Sequence, residues 1–198
     1  KGSFSIDDVA VSGTCTYTCF RDNFDAGGLN AWSTTSQDPA NLRFELSNTT
    51  SASAPNAVFG WHNKFAATGK AATVIAQESK GSRFLVPVIG GSFRYHANIF
   101  LDKSVCAVNP GDEVDSPINV ALQVVDEPFP EIEQQDDGAE DAWSVGTACE
   151  STSGWEMKTG ALAQGSHGRS VVPAFELRKN AKITTMKAYF DSLQYICK

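Results

Sequence analysis

Short stretches that alternate apolar and polar residues, each closed by turn-forming residues, recur along the whole chain. No segment sustains a 3.6-residue apolar period for more than a couple of turns. A period of two lines one face of a strand with apolar side chains and does not give a helix a continuous apolar stripe. Strands are therefore expected at FSIDDVAV (4–11), TYTCF (16–20), LRFEL (42–46), NAVFGW (56–61), AATVIAQ (71–77) and RFLVPVI (83–89). They are expected again at SFRYHANIFLD (92–102), INVALQVV (118–125), GWEMKT (154–159), SVVPAFELR (170–178) and ITTMKAYFDSLQYI (183–196). The clusters between them, among them DAGGLN, TTSQDPAN, VIGGS and VNPGDEVDSP, carry turn chemistry. GAEDAWSVGTACE (138–150) is the one place where a short helix is expected. Many short strands at this spacing predict an all-β fold, a two-sheet antiparallel β-sandwich or jelly roll, in which sheets packed face to face bury each other's apolar sides.

At 198 residues the chain is long enough to bury a substantial core. Its 41% hydrophobic and 20% charged residues fit a globular protein rather than a disordered or fibrous one. No apolar run approaches the roughly 20 residues that cross a bilayer, and no basic-led apolar leader opens the chain. It reads as a soluble mature protein or an excised fragment, with no membrane partner. The net charge of −7, from 16 basic and 23 acidic residues without a local basic stripe, would repel a phosphate backbone, so nucleic acid is not an expected partner.

Five cysteines lack the paired spacing of a zinc site, and three histidines form no HxxxH-type set. Disulfides are the better reading: Cys106 with Cys149, and Cys197 with Cys15 or Cys19, leaving at least one cysteine over. Asn48 opens the sequon Asn-Thr-Thr inside SNTTSASAPN (47–56), which reads as an exposed, glycosylated loop. Cysteines and sequon together predict a secreted, extracellular glycoprotein. The longest stretch without strand signal, 126–143, has eight acidic residues in its first sixteen; it reads as a solvated insertion or as a lid over a pocket.

Alternation in SFRYHANIFLD puts Phe93, Tyr95, Ala97, Ile99 and Leu101 on one face and Arg94, His96, Asn98, Phe100 and Asp102 on the other. The first set suits a core. The second is polar with an aromatic, the composition a concave binding sheet needs, and Arg94, His96, Asn98 and Phe100 are candidate ligand contacts. Trp61 and His62, expected just after a strand, look like loop-borne contacts, and Trp143, after the acidic insertion, like the flank of a cleft. Enzymatic signatures are weak: GSHGR (165–169) is not a GxSxG elbow, and nothing singles out a catalytic pair among Glu45, Glu156 and Glu176.

The order of these pieces resembles the jelly-roll carbohydrate-binding modules of the galactose-binding-like superfamily. DNFDAGGLNAW (22–32) carries Phe24, Asp25 and Trp32 where the first module strand reads NxxFE, then a Gly and a Trp. SFRYHANIFLD is similar to a mid-module YTFSFWVK strand, GWEMKT to a late GW strand, and AYFDSLQY (188–195) to the terminal FYIDDVxV strand. The chain departs from the pattern at Asp25, where the modules have Glu, at Asp191-Ser192, where they have two Asp, and in the acidic insertion. FSIDDVAV matches the terminal strand better than the terminus does. Residues 1–13 are thus either a remnant of a preceding repeat or an extra edge strand of a jelly-roll domain spanning 14–198.

The resemblance implies a binding module whose carbohydrate or small-molecule ligand sits on the concave sheet. It also implies a structural calcium between the first and last strands, with Asp25 and Asp191, and beside them Asp22, among its ligands; a turn-and-cap role for these residues is the alternative. Two further readings stay open. One is an enzyme on the same scaffold, either an aromatic-lined pocket that cyclises or isomerises a small apolar metabolite or a polysaccharide lyase, and the other is an adhesion module for a protein partner.

Overall fold

The computed structural model describes residues 16–77, 80–106, 116–125, 142–162 and 164–198. Among these residues twelve strands run in chain order: β1 (Tyr17–Asp22), β2 (Trp32–Ser36), β3 (Leu42–Ser47), β4 (Ala57–His62), β5 (Ala71–Ala76), β6 (Phe84–Leu85), β7 (Gly91–Leu101), β8 (Ile118–Val124), β9 (Ala142–Ala148), β10 (Glu156–Ala161), β11 (Ser170–Arg178) and β12 (Met186–Cys197). A 3-10 turn, Gln164–Ser166, precedes β11. Among the described residues no helix is long and apolar enough to cross a membrane.

The strands form two six-stranded antiparallel sheets, a β-sandwich. In the first sheet the order is β10-β7-β12-β4-β3, and β1 lies end to end with β4 along the same edge of β12. The second sheet is ordered β2-β5-β11-β8-β9, with β6 beside β11. β12 organises the first sheet because its twelve residues are long enough to pair β4 through Met186–Phe190 and β1 through Leu193–Cys197. The first and last described strands are thereby hydrogen-bonded neighbours, and Cys19 is bridged to Cys197 across them. A second bridge, Cys106–Cys149, ties the segment after β7 to the end of β9. Cys197 thus takes Cys19 as its partner, and not Cys15, which lies outside the described residues.

Period-two side chains from the two sheets meet in one core. Phe175 of β11 stacks on Phe190 of β12 at 4.6 Å between ring centroids, bridging the two layers, and on Trp32 of its own sheet at 5.8 Å. Two glycines permit this close approach. A Cβ on Gly60 would meet the Leu177 and Phe44 side chains, and one on Gly146 would lie 2.7 Å from the Tyr95 hydroxyl.

Three local expectations are corrected. Residues 142–148 are strand, not helix: their backbone pairs with β8, and the glycine that would weaken a helix fits under Tyr95. The strand expected over 83–89 shrinks to Phe84–Leu85, because Pro87 has no N–H to give a ladder and Val88 and Ile89 turn outward, 80% and 66% exposed. WSTTS becomes β2 although only Trp32 in it is buried; a Thr35–Thr73 hydroxyl contact of 2.6 Å across the strand pair helps hold it. FSIDDVAV and the acidic stretch 126–141 lie outside the described residues.

Candidate functional site

Strand alternation on β7 is realised. Phe93, Tyr95, Ala97 and Ile99 are buried in the core, and Arg94, His96, Asn98 and Phe100 lie on the outer face of the first sheet. Directly paired residues share a face, so the neighbours on β12, β4 and β3 follow from register. Phe100 sits beside Lys187, which sits beside Trp61 and then Arg43; Asn98 sits beside Tyr189, then Phe59 and Glu45. The result is a surface of alternating aromatic and polar side chains. Phe59 stacks on Tyr189 at 4.5 Å, and the Trp155 ring, just ahead of β10, approaches Tyr189 at 6.4 Å. Arg43 lies 4.9 Å over the Trp61 ring, whose Nε1–H donates to Glu45 Oε1 at 3.2 Å. That stacking and that hydrogen bond hold the indole in place.

A cleft of about 480 Å³ opens on this face. Asn98, Phe100, Lys187 and Tyr189 come from β7 and β12, Asp102 and Thr185 from the segments beyond the strand ends, and Thr50 from the loop after β3. Asn98 is 8% exposed and its Oδ1 has no hydrogen-bond partner; Nδ1 of His96, one step along the same face, is also buried and unpartnered. A buried acceptor without a donor costs about 1–3 kcal/mol, so Asn98 Oδ1 is the cleft acceptor that a ligand O–H or N–H would satisfy. Burial first, and the Glu45 carboxylate second, push the Tyr189 phenol above its ordinary pKa, so it keeps its proton as a donor. Asp102 accepts the Thr184 N–H at 2.9 and 3.0 Å; burial works against its charge, but these and other bonds hold it below the usual carboxylate range.

The loop wall is pinned from beneath. Asp191, fully buried at the centre of β12, accepts Ala52 N–H at 2.8 Å, Ser53 N–H at 2.6 Å and the Ser53 hydroxyl at 3.1 Å. Its other oxygen takes Ser192 N–H at 2.6 Å, at a bulge where Ser192 adopts a φ of 53°. Asp22 accepts Phe24 N–H at 2.7 Å and Trp32 Nε1–H at 2.8 Å. Asp25 accepts Asn23 Nδ2–H at 2.7 Å and Asn56 N–H at 3.1 Å. All six oxygens of these carboxylates thus face protein N–H donors. Among the described residues no three His, Cys, Asp or Glu gather to hold a metal, and these bonds make the three carboxylates turn and loop tethers.

Other candidates are placed differently. Trp61 and His62 are both inside β4, where alternation separates them: Trp61 faces outward, and His62, 2% exposed, points into the core beside Leu42 and Met186. Burial and the Lys179 ammonium lower His62 to a pKa of about 4, so it is neutral at pH 7 and is not a surface contact. Arg94 is engaged by Gln194 through a 2.6 Å bond, and Gln194 in turn by Thr18, away from the cleft. Trp143 belongs to β9 of the second sheet, where its backbone pairs with Leu122, and so is not part of this face. Trp32 is a core residue bonded to Asp22. Sequence reasoning missed Tyr189, Lys187 and Thr50; the alternation in MKAYFDS puts Lys187 and Tyr189 on one face, but nothing local links that face to β7.

No protein-family model matches the chain, and no curated protein matches its sequence. Solved structures match it in fold. The xylan-binding domain of carbohydrate-binding module family 22 aligns with a TM-score of 0.50 at 12% identity, over 90% of this chain and 93% of that one. The C-terminal family 22 carbohydrate-binding module of a Clostridium thermocellum protein gives 0.50 at 12%, over 90% and 92%. The K3 cleaved adhesin domain of Lys-gingipain from Porphyromonas gingivalis gives 0.50 at 13%, over 93% and 100%. At such identities the likeness is one of fold, and the chain shares the jelly-roll β-sandwich of these carbohydrate-binding modules and this adhesin domain.

Proposed function

We propose that this protein is a secreted binding module that takes a carbohydrate in the cleft over β7 and β12, on the outer face of the first sheet. The observation that carries the reading is the pairing of a buried, unpartnered acceptor, Asn98 Oδ1, with the aromatic side chains of Phe100 and Tyr189 in one cleft. A sugar ring offers hydroxyl donors at its edge and C–H groups on its face, and the two kinds of lining residue meet these in turn. Phe100 is half exposed, as a stacking platform must be. Two disulfides suit an oxidising compartment and support secretion. Solved modules with this fold include xylan-binding ones, which puts xylo-oligosaccharides first among ligands to try.

Calorimetric titration with a panel of neutral and acidic oligosaccharides tests the reading, using the wild type and the Asn98→Ala, Phe100→Ala and Tyr189→Ala variants. The expected result is binding that weakens about tenfold or more in each variant, as loss of one buried hydrogen bond or one stacked ring implies. A ligand whose affinity is unchanged in all three variants would remove the site from this cleft.

A further inference from the structure

The sequon and the cleft share a residue. Thr50 is the hydroxyl residue that completes Asn48-Thr49-Thr50, and it also lines the cleft beside Asn98, Phe100 and Tyr189. Asn48 is exposed immediately after the end of β3, where a transferase can reach it. Two residues of chain span at most about 7 Å, so a group attached to Asn48 starts at the rim of the cleft.

The attachment point is also held still. Ser47 and Thr49 hydroxyls meet at 3.2 Å, Asp191 binds Ala52 and Ser53, and Asn56 donates its N–H to Asp25 at 3.1 Å. A glycan on this loop therefore has a fixed origin relative to the cleft, unlike one on a free tail.

Resting on the carbohydrate reading above, we propose that Asn48 is N-glycosylated and that its own glycan occupies the cleft, competing with external ligand. In the modification, Asn48 Nδ2 forms a bond to the anomeric carbon of an oligosaccharide carried on a lipid pyrophosphate. The anomeric C–O bond breaks, the lipid pyrophosphate leaves with the electron pair, and Nδ2 gives up a proton. The tether then sets the local sugar concentration at the cleft in the millimolar range, the value for a short link between two sites. A cleft whose affinity for one sugar unit is of the same order is then about half or more occupied from within. Trimming or removing the glycan uncovers it.

The test uses the full chain made in a glycosylating secretory host, its Asn48→Gln variant, and the glycoform trimmed by an endoglycosidase to one sugar residue. Mass spectrometry reads occupancy at Asn48, and calorimetry reads oligosaccharide affinity. The rate at which an acylating reagent modifies Lys187, which lines the cleft and is exposed, reads cover over the site without any added ligand. The expected result is an occupied Asn48, affinity about two- to tenfold weaker in the glycoform than in the Asn48→Gln variant, and Lys187 acylation slower by about twofold or more. An unmodified Asn48 would overturn the proposal. So would an occupied Asn48 with affinity and Lys187 rate both matching the variant. If the variant binds no oligosaccharide, the carbohydrate reading fails by itself, and Lys187 alone decides whether the glycan covers the cleft: slowed acylation supports it and an equal rate refutes it.

Discussion

Replacing Asp191 by Asn isolates one carboxylate oxygen at almost constant volume. The native side chain accepts two backbone N–H groups of the loop through Oδ2, at 2.8 and 2.6 Å, and the Ser192 N–H through Oδ1 at 2.6 Å. An amide must turn its NH2 toward one of these sets. The less costly orientation keeps the carbonyl on Ala52 and Ser53 and sets the NH2 against the Ser192 N–H, which loses one charge-assisted bond and leaves one buried donor unmet. Each bond to a charged group contributes about 1.5–3 kcal/mol, so the substitution should cost about 2–3 kcal/mol. Asp191→Ala strips all three backbone donors and should cost about 4 kcal/mol or more. For a domain of this size, 1 kcal/mol moves the Tm by about 2–4 °C, so thermal unfolding followed by circular dichroism should show Asp191→Asn melting about 5–10 °C lower. Hydrogen exchange should place the loosening at the amides of Ala52 and Ser53. Oligosaccharide affinity should fall as well, because Thr50 lies on the same loop although Asp191 does not line the cleft. A Tm within 2 °C of wild type, with both amides still protected, would refute the idea that this carboxylate holds the wall of the cleft.

Loss of the Cys19–Cys197 bridge, which closes 178 residues, should cost about 1 kcal/mol more than loss of Cys106–Cys149, which closes 43; chain-entropy ceilings are about 5 and about 4 kcal/mol. Paired Cys→Ser variants in urea unfolding check the order, and a larger loss for the shorter loop would contradict it. His62 binds its proton less readily folded, near pH 4, than unfolded, near 6.5, so its contribution is intact above pH 6.5 and is lost as pH falls toward 4. His62→Leu should remove of order 2 kcal/mol of that acid sensitivity; a variant with the same pH 7 to pH 4 loss as wild type would rule His62 out as its source. Because protein donors face the oxygens of Asp22, Asp25 and Asp191, millimolar calcium and chelator should leave the Tm within about 1 °C. A rise of several degrees with calcium would place an ion among those carboxylates.

The parts of the site that were legible in sequence lie within one strand. Alternation along residues 92–102 put Asn98 and Phe100 on one face because the period of two is a local property of extended backbone. It failed at His62 for a matching reason. With the strand ending at residue 61, His62 read as a loop residue; β4 runs one residue further, and the same alternation then turns His62 inward. Tyr189, Lys187 and Thr50 were invisible as site residues, because their nearness to Asn98 depends on which strands pair and in what register.

The same division runs through the fold. Repeated short alternating runs with turn residues between them determined a layered β architecture, since each run has one face to bury and only another sheet can cover many such faces. WSTTS and AWSVGTA were misread because neither carries the pattern that its final place requires. Their strand state is set by a partner: β5 for the first, β8 and the space under Tyr95 for the second. Asp191 shows the limit most plainly. Nothing near it in the chain names its partners, and only the tertiary structure, by bringing Ala52 and Ser53 across 138 or more residues to meet it, makes it the anchor of a loop. Local periodicity is written into consecutive residues, whereas the partner of a buried charge is chosen by long-range pairing that no short window of the chain contains.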